Sequence, residues 1–444
     1  MPANTPPEKQ PNAKPQAVAT PDQLRTKSAI TPVAQNNEGL PGGWRWVKLG
    51  DICETTSGGT PSRRESKYYD GSIPWVKSGE LDKGLITDTE EKISEEAIEN
   101  SSAKVFPKGT LLIALYGATI GKLAFLGVAA ATNQAVCGIY KNDNVASKYL
   151  YHFLFHSKQG LVKQGIGGAQ PNISQGILKN LKIPLPSVHD QHAIVSKIEE
   201  LLSELDKGKQ QLETAQEQLK IYRQAVLKWA FEGRLTNKEV KEGELPRGWK
   251  LQPLKEITSV LGDGLHGTPK YSELGGYYFI NGNNLTDGKI EIKENTKRVN
   301  VEEYEKYKKP LNNRTILVSI NGSLGYTAFY NNEKVVLGKS ACYFNLLDNV
   351  DKNYVRYYLT SNSFTSYAEK SATGSTIMNV GLKAMREFHV PMPPSIHEQQ
   401  SIVQEIESRL SVCDKVEETI TTSLAQAETL RQSILKKAFE GKLV

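Results

Sequence analysis

Apolar residues recur at alternating spacings of three and four in two stretches of the chain. The first series comprises Ile194, Ile198, Leu201, Leu205, Leu212, Ala215, Leu219, Tyr222, Val226 and Trp229. The second comprises Ile402, Ile406, Leu410, Cys413, Val416, Ile420, Ala427, Leu430 and Ile434. This heptad spacing predicts two long helices, each with one narrow apolar stripe, which we call its seam.

A narrow seam needs another helix as its partner, because a sheet or a globular core is matched by a broader apolar face. We expect the two helices to pack against each other in antiparallel orientation. The alternative is that each helix packs on its own domain. A helix of about 40 residues is about 60 Å long, which exceeds the length of one turn of B-DNA, about 34 Å.

The chain contains an internal duplication. The segment LPGGW at residues 40–44 returns as LPRGW at residues 245–249. The segment RQAVLKWAFEGRL at residues 223–235 returns as RQSILKKAFEGKL at residues 431–443, with nine of thirteen positions identical. A doubled chain predicts two equivalent units related by a pseudo-twofold axis.

Between these anchors the two halves match only in outline. Residues 110–117 and 315–322 are apolar runs that end in glycine, which predicts a buried strand entering a turn. Residues 149–154 and 354–359 are each typical of a short amphipathic helix. Each half therefore contains an α+β domain.

Proline-rich segments follow each domain, IPLP at residues 183–186 and VPMP at residues 390–393. We expect them to end regular structure, because proline suits neither a strand ladder nor a helix interior. The fold class is α+β, with two mixed α/β domains joined by two long antiparallel coiled-coil helices. The predicted parts are a disordered leader (1–39), a first domain (40–186), a central helix (187–236), a linker with the second domain (237–394) and a C-terminal helix (395–444).

Composition narrows the class of protein. Among 444 residues, 55 are basic and 49 acidic, and the net charge of +6 permits a nucleic-acid partner without requiring one. Four widely separated cysteines without a CxxC pair favour a reducing, cytoplasmic setting. The most apolar stretch, residues 109–131, contains Lys122 and several glycines, so no membrane span is predicted. The leader has no apolar core of a signal peptide.

Catalytic motifs are incomplete. Residues 116–123 resemble a phosphate-binding loop, but the glycines are one residue too close and Leu123 replaces the magnesium-binding hydroxyl. His189 and His192 could form a metal pair, but Ser187 and Asp190 favour a helix cap there. The glycine-rich segments at 58–60 and 165–168 lack the context of a dinucleotide site, and no esterase, zinc-protease or adenine-methyltransferase motif is present. We expect no catalytic site, metal or cofactor in this chain.

One family combines these features. The order of domain, proline segment, heptad helix and AFEG[R/K]L occurs twice, ending at residues 230–235 and 438–443. From Leu40 onward the chain resembles the specificity (S) subunits of type I restriction-modification enzymes, the HsdS family. The leader departs from the common pattern of that family.

The resemblance implies a function in host defence. It implies target recognition domains at about residues 44–185 and 249–393, each reading one half of an asymmetric bipartite site in double-stranded DNA, with the helices as spacer. It also implies two methyltransferase (M) subunits docked along the helices, which bind S-adenosylmethionine and methylate adenine. Endonuclease and translocase (R) subunits, which use ATP and magnesium, would join them.

DNA-contacting residues are expected in loops, as amides and cations for bases and as cations and hydroxyls for phosphates. The first-domain candidates are Thr60, Ser62, Arg63, Arg64, Lys67, Lys77, Ser78, Tyr116, Asn133, Gln134, Gln170 and Asn172. The second-domain candidates are His266, Thr268, Lys270, Tyr271, Asn281, Asn283, Asn284, Asn321, Ser323, Lys339, Ser340, Ser375 and Thr376. Each of these also fits an ordinary solvated turn.

Two further alternatives remain open at this stage. Phe231 and Phe439, each just before a glycine, suit either docking of a methyltransferase subunit or packing against the opposite domain. A noncatalytic DNA-reading subunit competes with a coiled-coil adaptor that does not read DNA and with a single-chain DNA-modifying enzyme.

Overall fold

The computed structural model describes residues 39–164, 172–237, 239–373 and 378–444. These residues form two compact units. The first contains the described residues up to 209 together with 425–444, and the second contains those from 210 to 424. Except for Gly39, the predicted leader lies outside the described residues, as do residues 165–168 and the candidates Gln170, Ser375 and Thr376.

The first unit begins with a domain of eleven strands and four helices in its described residues. In chain order these are β1 (Arg45–Lys48), α1 (Leu49–Ile52), β2 (Thr55–Ser57), β3 (Ile73–Val76), β4 (Leu85–Ile86), β5 (Glu91–Ile93), α2 (Glu95–Glu99), β6 (Val105–Phe106), β7 (Leu111–Ala114), β8 (Leu123–Leu126), β9 (Ala130–Thr132), β10 (Val136–Ile139), α3 (Ser147–Gln164), α4 (Gln175–Asn180) and β11 (Lys182–Leu185). The long helix α5 (Val188–Phe231) follows.

The second unit repeats this organisation. Its elements are β12 (Lys250–Pro253), β13 (Thr258–Asp263), β14 (Tyr277–Ile280), β15 (Leu285–Thr286), β16 (Lys289–Ile290), β17 (Arg298–Val299), α6 (Val301–Tyr307), β18 (Thr315–Ser319), β19 (Thr327–Phe329), β20 (Val335–Leu337), β21 (Ala341–Leu346), α7 (Lys352–Leu359), α8 (Asn362–Ser371), α9 (Leu382–Glu387) and β22 (His389–Met392). The long helix α10 (Ile396–Phe439) comes last.

Sheet order is shared by the two domains. The main sheet is β2-β10-β7-β8-β4 in the first domain and β13-β21-β18-β19 in the second. A smaller sheet is ordered β5-β3-β9-β6 in the first and β17-β14-β20 in the second. Every residue of the central strands β7 and β18 is buried, and Gly117 and Gly322 follow them with φ of 79° and 76°. The predicted buried strand with its glycine turn is confirmed in both copies, as is the mixed α+β fold class.

The proline segments are strands, which corrects the expectation that they end regular structure. β11 pairs with β1 and β22 pairs with β12, with Pro184 opposite Trp46 and Pro391 opposite Leu251. Each pair is a two-stranded sheet, so a proline without an N–H can face its open edge. The two proline carbonyl oxygens accept hydrogen bonds from Tyr149 and Tyr354, both at 2.5 Å.

Within each unit, segments of the two long helices pack in antiparallel orientation. In the first unit, Arg431 of α10 forms an ion pair with Asp206 of α5, and Phe439 shares a core with Ile194 and Ile198. Higher residue numbers on α10 therefore correspond to lower ones on α5. The same inverse order holds in the second unit, as the next contacts show.

In the second unit, Arg223 of α5 donates to Asp414 at 2.7 Å and to Glu417 at 2.8 Å. Phe231, eight residues further along α5, shares a core with Ile402 of α10. The seam residues Cys413 and Ile420 are buried. The predicted pairing of helix with helix is thus present inside each unit.

Three predicted seam residues do not lie in a buried stripe. Tyr222, Val416 and Leu430 are 37%, 42% and 50% exposed. A straight α-helix drifts by about 20° per heptad relative to a strict seven-residue repeat, so a seam read over five heptads leaves the contact line. The assignment of these three positions to the seam was wrong.

Phe231 and Phe439 belong to hydrophobic cores. Phe231 is 4% exposed and its ring lies 5.1 Å from Tyr354 and 4.8 Å from Tyr358, all in the second unit. Phe439 is 5% exposed and lies 5.3 Å from Tyr149 in the first unit. Of the two alternatives, packing is the one observed, and the docking role is withdrawn because neither ring is accessible.

Both long helices begin with side-chain caps. The Ser187 hydroxyl accepts the backbone N–H of Asp190 at 3.1 Å and donates to its carboxylate at 2.8 Å. Ser395 accepts the N–H of Glu398 at 3.2 Å in the second copy. The predicted cap is confirmed. In the described ranges, no helix combines the length and apolar character needed to cross a membrane.

Candidate nucleic-acid interface

In the first domain, the carboxyl ends of β2, β3, β7 and β9 meet at one edge of the two sheets. Backbone hydrogen bonds connect the loops that follow them. Asn133 donates to Val76 at 3.0 Å, Leu115 donates to Ala135 at 2.8 Å, and Gly59 donates to Thr132. We call the loops that follow β2, β3, β7 and β9 the first loop edge.

The second domain forms an equivalent edge with the same bonds. Gly338 donates to Ile280 at 2.8 Å, Ile320 donates to Ser340 at 3.0 Å, and Leu265 donates to Leu337 at 2.7 Å. We call the loops that follow β13, β14, β18 and β20 the second loop edge. Matching these bonds pairs position 77 with 281, 134 with 339 and 135 with 340, although the residues at each pair differ.

The first loop edge gathers several predicted residues that are far apart in sequence. The Thr60 hydroxyl donates to the Gln134 amide oxygen. Tyr116 forms a backbone bridge with Asn172, next to the bond from Ile173 to Leu115. Burial raises the pKa of the Tyr116 hydroxyl. Lys77, Ser78 and Asn133 lie on the neighbouring loops.

Three of the four basic candidates in the first domain, Arg63, Lys67 and Lys77, form ion pairs with acidic residues. The Arg63 guanidinium donates to Glu91 at 2.6 Å and lies 4.1 Å from the Tyr69 ring centroid. The hydrogen bond with Glu91 raises the pKa of Arg63, and the same bond lowers that of the carboxylate. Lys77 contacts Glu90 at 2.8 Å and Glu91 at 3.1 Å.

The remaining residues of the 62–67 segment are exposed. Lys67 forms an ion pair with Glu96, and its pKa is raised by that hydrogen bond. The Ser62 hydroxyl accepts the backbone N–H of Arg64 at 3.3 Å. Within the described residues, the Arg64 guanidinium has no acidic partner, which distinguishes it from Arg63, Lys67 and Lys77.

Asn281, Ser340 and Asn284 form one hydrogen-bonded group at the second loop edge. Ser340 donates to the Asn281 side-chain oxygen at 3.0 Å. Asn284 is 5% exposed, and its amide donates to the carbonyl of Glu291 at 2.9 Å. The buried Asn284 therefore holds a turn, and its neighbour Asn283 is exposed.

The other second-domain candidates differ in whether hydrogen bonds hold them in place. The His266 ring lies 2.5 Å from Asp263, and the backbone N–H of Lys270 donates to Glu303 at 2.9 Å. The Asn321 amide donates to Asn379 at 3.2 Å. The exposed candidates are His266, Thr268, Lys270, Tyr271, Asn283, Ser323 and Lys339.

Sequence reasoning missed Asn379 and the pair formed by Gln175 and Ser57. Asn379 forms a backbone bridge with Asn321, just as Asn172 does with Tyr116. The Gln175 amide donates to the Ser57 hydroxyl at 2.7 Å. The duplication could have revealed Asn379, because it occupies the place of Asn172 in the second copy. Nothing in the sequence links Gln175 to Ser57.

The buried thiols do not form a reactive site. Cys137 and Cys342 occupy equivalent central strands, β10 and β21, and both are buried. Burial raises the pKa of Cys137 to about 12, and it also raises that of Cys342. No cluster of three or more His, Cys, Asp or Glu side chains able to hold a metal occurs among the described residues.

Comparison with known proteins identifies the family to which the duplicated fold belongs. The model of the family described as type I restriction modification DNA specificity domain matches residues 41–214 and 246–426. The StySPI specificity subunit of Salmonella potsdam is 25% identical over 431 residues, covering 92% of this chain and 91% of the relative. The EcoR124I/EcoR124II specificity subunit of Escherichia coli is 29% identical over 188 residues, covering 40% of this chain. That alignment spans only 46% of the relative's length.

A solved structure supports the fold. A chain from a study of complex assembly and conformational transition of the type I R-M system superimposes with a TM-score of 0.69. The superposition covers 91% of this chain and 99% of that chain at 22% sequence identity, which is similarity of fold.

Two copies of one α+β domain with unlike loop edges, each packed against long helices, define a duplicated recognition protein. The chain belongs to the type I restriction-modification DNA specificity family. The relatives it matches are named as specificity subunits of type I restriction enzymes.

Proposed function

We propose that each domain reads one half of an asymmetric bipartite DNA site through its loop edge. The observation that carries this proposal is the pairing of a common backbone frame with different side chains. The bonds from Asn133 to Val76 and from Gly338 to Ile280 are equivalent, yet Lys77 stands where the second domain has Asn281. Equivalent frames with different donors and acceptors suit two different base sequences.

The proposed target recognition domains comprise about residues 44–185 and 249–393. The loop-edge residues provide the base contacts. Exposed cations and hydroxyls near the edges, such as Arg64 and Thr268, contact phosphates, which position the protein without specifying sequence. The predicted contacts Gln170, Ser375 and Thr376 lie outside the described residues.

The proposed complex contains two methyltransferase subunits docked on exposed faces of the long helices, and endonuclease subunits that join them. S-adenosylmethionine belongs to the methyltransferase subunits, and ATP and magnesium belong to the endonuclease subunits. The duplicated helical segments provide two similar docking faces for two copies of one partner. The proposed setting is the cytoplasm, where the four buried thiols stay reduced.

Methylation-site sequencing tests the proposal. Cells expressing the full chain with its methyltransferase partner are expected to carry modified adenine in one asymmetric motif with two specified parts and an unspecified spacer. The double variant Thr60→Ala/Gln134→Ala removes a hydrogen-bonded pair at the first loop edge. We expect it to relax one part of the motif and leave the other unchanged.

The matched control removes a polar pair far from either loop edge. Lys255 and Glu387 form an exposed ion pair in the second domain, between the turn after β12 and helix α9. Lys255→Ala should leave both parts of the motif intact. A single undivided motif, or relaxation of both parts by the Thr60/Gln134 variant, would contradict the assignment of one domain to each half.

A further inference from the structure

Asn281 and the turn at Gly338–Ser340 lie in close contact at the second loop edge. Asn281 follows β14 directly, and the turn connects β20 to β21. A Cβ at Gly338 would lie 2.2 Å from the Asn281 side-chain oxygen, so a larger residue there would displace the amide. The Asn281 amide therefore packs directly against the backbone of the turn.

The hydrogen bonds around Asn281 fix the direction of its amide. Gly282 donates its backbone N–H to the Ser340 hydroxyl oxygen at 2.8 Å, and the Ser340 hydroxyl donates to Asn281 Oδ1 at 3.0 Å. The backbone N–H of Asn281 donates to buried Asn284 at 3.0 Å. The amide oxygen is thus engaged inside the protein, and the side chain is held before any ligand binds.

The hydrogen bonds around Asn281 leave N–H donors available to a ligand. The Asn281 NH₂ group is not buried, and it has no hydrogen-bond partner among the described residues. Lys339, between Gly338 and Ser340, is exposed, and its ammonium forms no ion pair within the described ranges. An ammonium group has no acceptor. The two neighbouring side chains therefore present N–H donors, while the Asn281 amide oxygen accepts from Ser340 on one lone pair and is packed against Gly338.

Base edges differ in how well they match such a surface. In the major groove guanine presents two acceptors, N7 and O6. Adenine pairs an acceptor with an N6 donor, cytosine presents an N4 donor, and thymine presents one acceptor beside a methyl group. Only guanine offers acceptors to both side chains.

We propose that Asn281 and Lys339 read a guanine in the half-site of the second domain, and that Ser340 selects guanine over adenine by occupying the Asn281 amide oxygen. This inference rests on the proposed reading of DNA by the loop edges. The first domain lacks this combination of a hydrogen-bonded amide and a neighbouring lysine without an ion pair. Its equivalent positions carry Lys77, Gln134 and Ala135, and Lys77 is held by Glu90 and Glu91.

The test uses the full chain expressed with its methyltransferase partner, followed by methylation-site sequencing. The motif of the unmodified protein should contain a guanine that responds to two variants. Ser340→Ala releases the amide oxygen, which can then accept from adenine N6 while the NH₂ donates to N7. We expect adenine at that position to gain at least about tenfold relative to guanine.

Asn281→Asp replaces donors with acceptors. It should reduce use of the guanine site by about tenfold or more and leave the other half of the motif unchanged. Asn331→Asp is the matched control, since Asn331 is an exposed asparagine between β19 and β20, away from the loop edge. That variant should leave every base unchanged.

Binding measurements show why methylation is lost, if the Asn281→Asp variant yields no modified sites. In that case the complex assembled with this variant is titrated with duplexes that carry each of the four bases at the position. Lost preference for guanine supports the inference. Full guanine preference in both Ser340→Ala and Asn281→Asp overturns it while the bipartite function stands. Absence of a bipartite motif in the unmodified protein is failure of the proposed function itself.

Discussion

Arg63 and Arg64 are adjacent in sequence and differ in what holds them. Arg63 is bound by Glu91 and packs on the Tyr69 ring, whereas the Arg64 guanidinium has no acidic partner in the described part of the chain. The sequence alone gave both arginines the same expected role at the DNA. The structure separates a structural side chain from one that is available to a phosphate.

We therefore expect Arg64→Ala to weaken DNA binding and to reduce the slope of log K against log salt by about one, because one phosphate contact is lost. Arg63→Ala should leave that slope unchanged and cost about 1 kcal/mol of stability, from an exposed ion pair and a ring contact. Salt titrations of binding and denaturant unfolding of each variant measure these effects. Equal slope changes for the two variants would contradict the distinction.

The equivalent thiols Cys137 and Cys342 provide a second test at this scale. Because the thiolate is the nucleophile, a thiol whose pKa is raised to about 12 reacts very slowly near neutrality. Iodoacetamide labelling of the native protein at pH 8, resolved by peptide mass spectrometry, should leave both cysteines unmodified. Labelling in urea should modify both, and rapid native labelling of Cys137 would show that the β10 region opens readily.

At the scale of elements, aromatic anchors connect the ends of the long helices to the domains. Phe231 packs on Tyr354 and Tyr358, and Phe439 packs on Tyr149 and Phe153. Both phenylalanines come from the duplicated AFEG segment. The same aromatic packing thus occurs once in each unit.

Phe231→Ala and Phe439→Ala should each cost about 3–5 kcal/mol, the usual range for a buried phenylalanine. The loss of stability should affect the second unit in the Phe231 variant and the first unit in the Phe439 variant. Hydrogen exchange of β18 and β7, respectively, locates it. An exposed-site control is Ile221→Ala, since Ile221 is 71% exposed and should change stability by less than about 0.5 kcal/mol. Uniform loss across both units would contradict the assignment.

Helix α3 places a histidine, His156, against the core of the first unit. His156 lies 5.7 Å from the Phe439 ring, and burial lowers its pKa below the ordinary 6.5. Its Nδ1 is buried and has no hydrogen-bond partner among the residues that the structure describes. Glu440 opposes this shift and Lys436 adds to it. The equivalent position in the second unit is Ser361, which does not titrate.

Because the unfolded chain binds the proton more readily, His156 should cost stability as pH falls below about 6.5, with the loss levelling off below its folded pKa. Thermal unfolding between pH 7.5 and 5.5 should therefore show the first unit weakening. His156→Phe should reduce this pH dependence while burying a ring of similar shape. An unchanged pH profile in that variant would exclude His156 as the source.

The sequence predicted these elements unevenly. Buried strands, glycine turns and helix caps depend on neighbouring residues, so residues 110–117 and Ser187 were predicted correctly. Seam membership at Tyr222 and Val416 failed because it depends on helix geometry accumulated over several turns. The prolines at 184 and 391 were misjudged because their strands pair on one side only, which local sequence does not show.

At the scale of the whole molecule, the duplication was evident in the sequence but its packing was not. The repeats at 223–235 and 431–443 predict equivalence. Which copy of a domain receives each helix end depends on tertiary contacts that a pattern does not contain. Likewise, the loop edges could be predicted as polar turns, but the hydrogen-bond directions around Asn281 required coordinates.

The first unit is discontinuous in sequence, since residues 425–444 complete a core begun near residue 40. A chain ending after Leu424 should lose protection from hydrogen exchange in β7 and β10 while β18 and β21 keep theirs. Removing Leu435 and Phe439 alone eliminates about 2–5 kcal/mol each, comparable with the total stability of a domain. Retained protection in β7 would contradict this dependence.

This discontinuity also affects the order of events during synthesis. The first domain leaves the ribosome first, yet its hydrophobic core is completed only by Leu435, Ala438 and Phe439, which are translated about 250 residues after the domain ends at Leu185. At about 5–20 residues per second, that interval lasts on the order of ten seconds or more. The second domain, whose partner helix α5 has already been made, can close before the first. Chaperone binding during translation should therefore concentrate on the first domain, which is synthesised earlier.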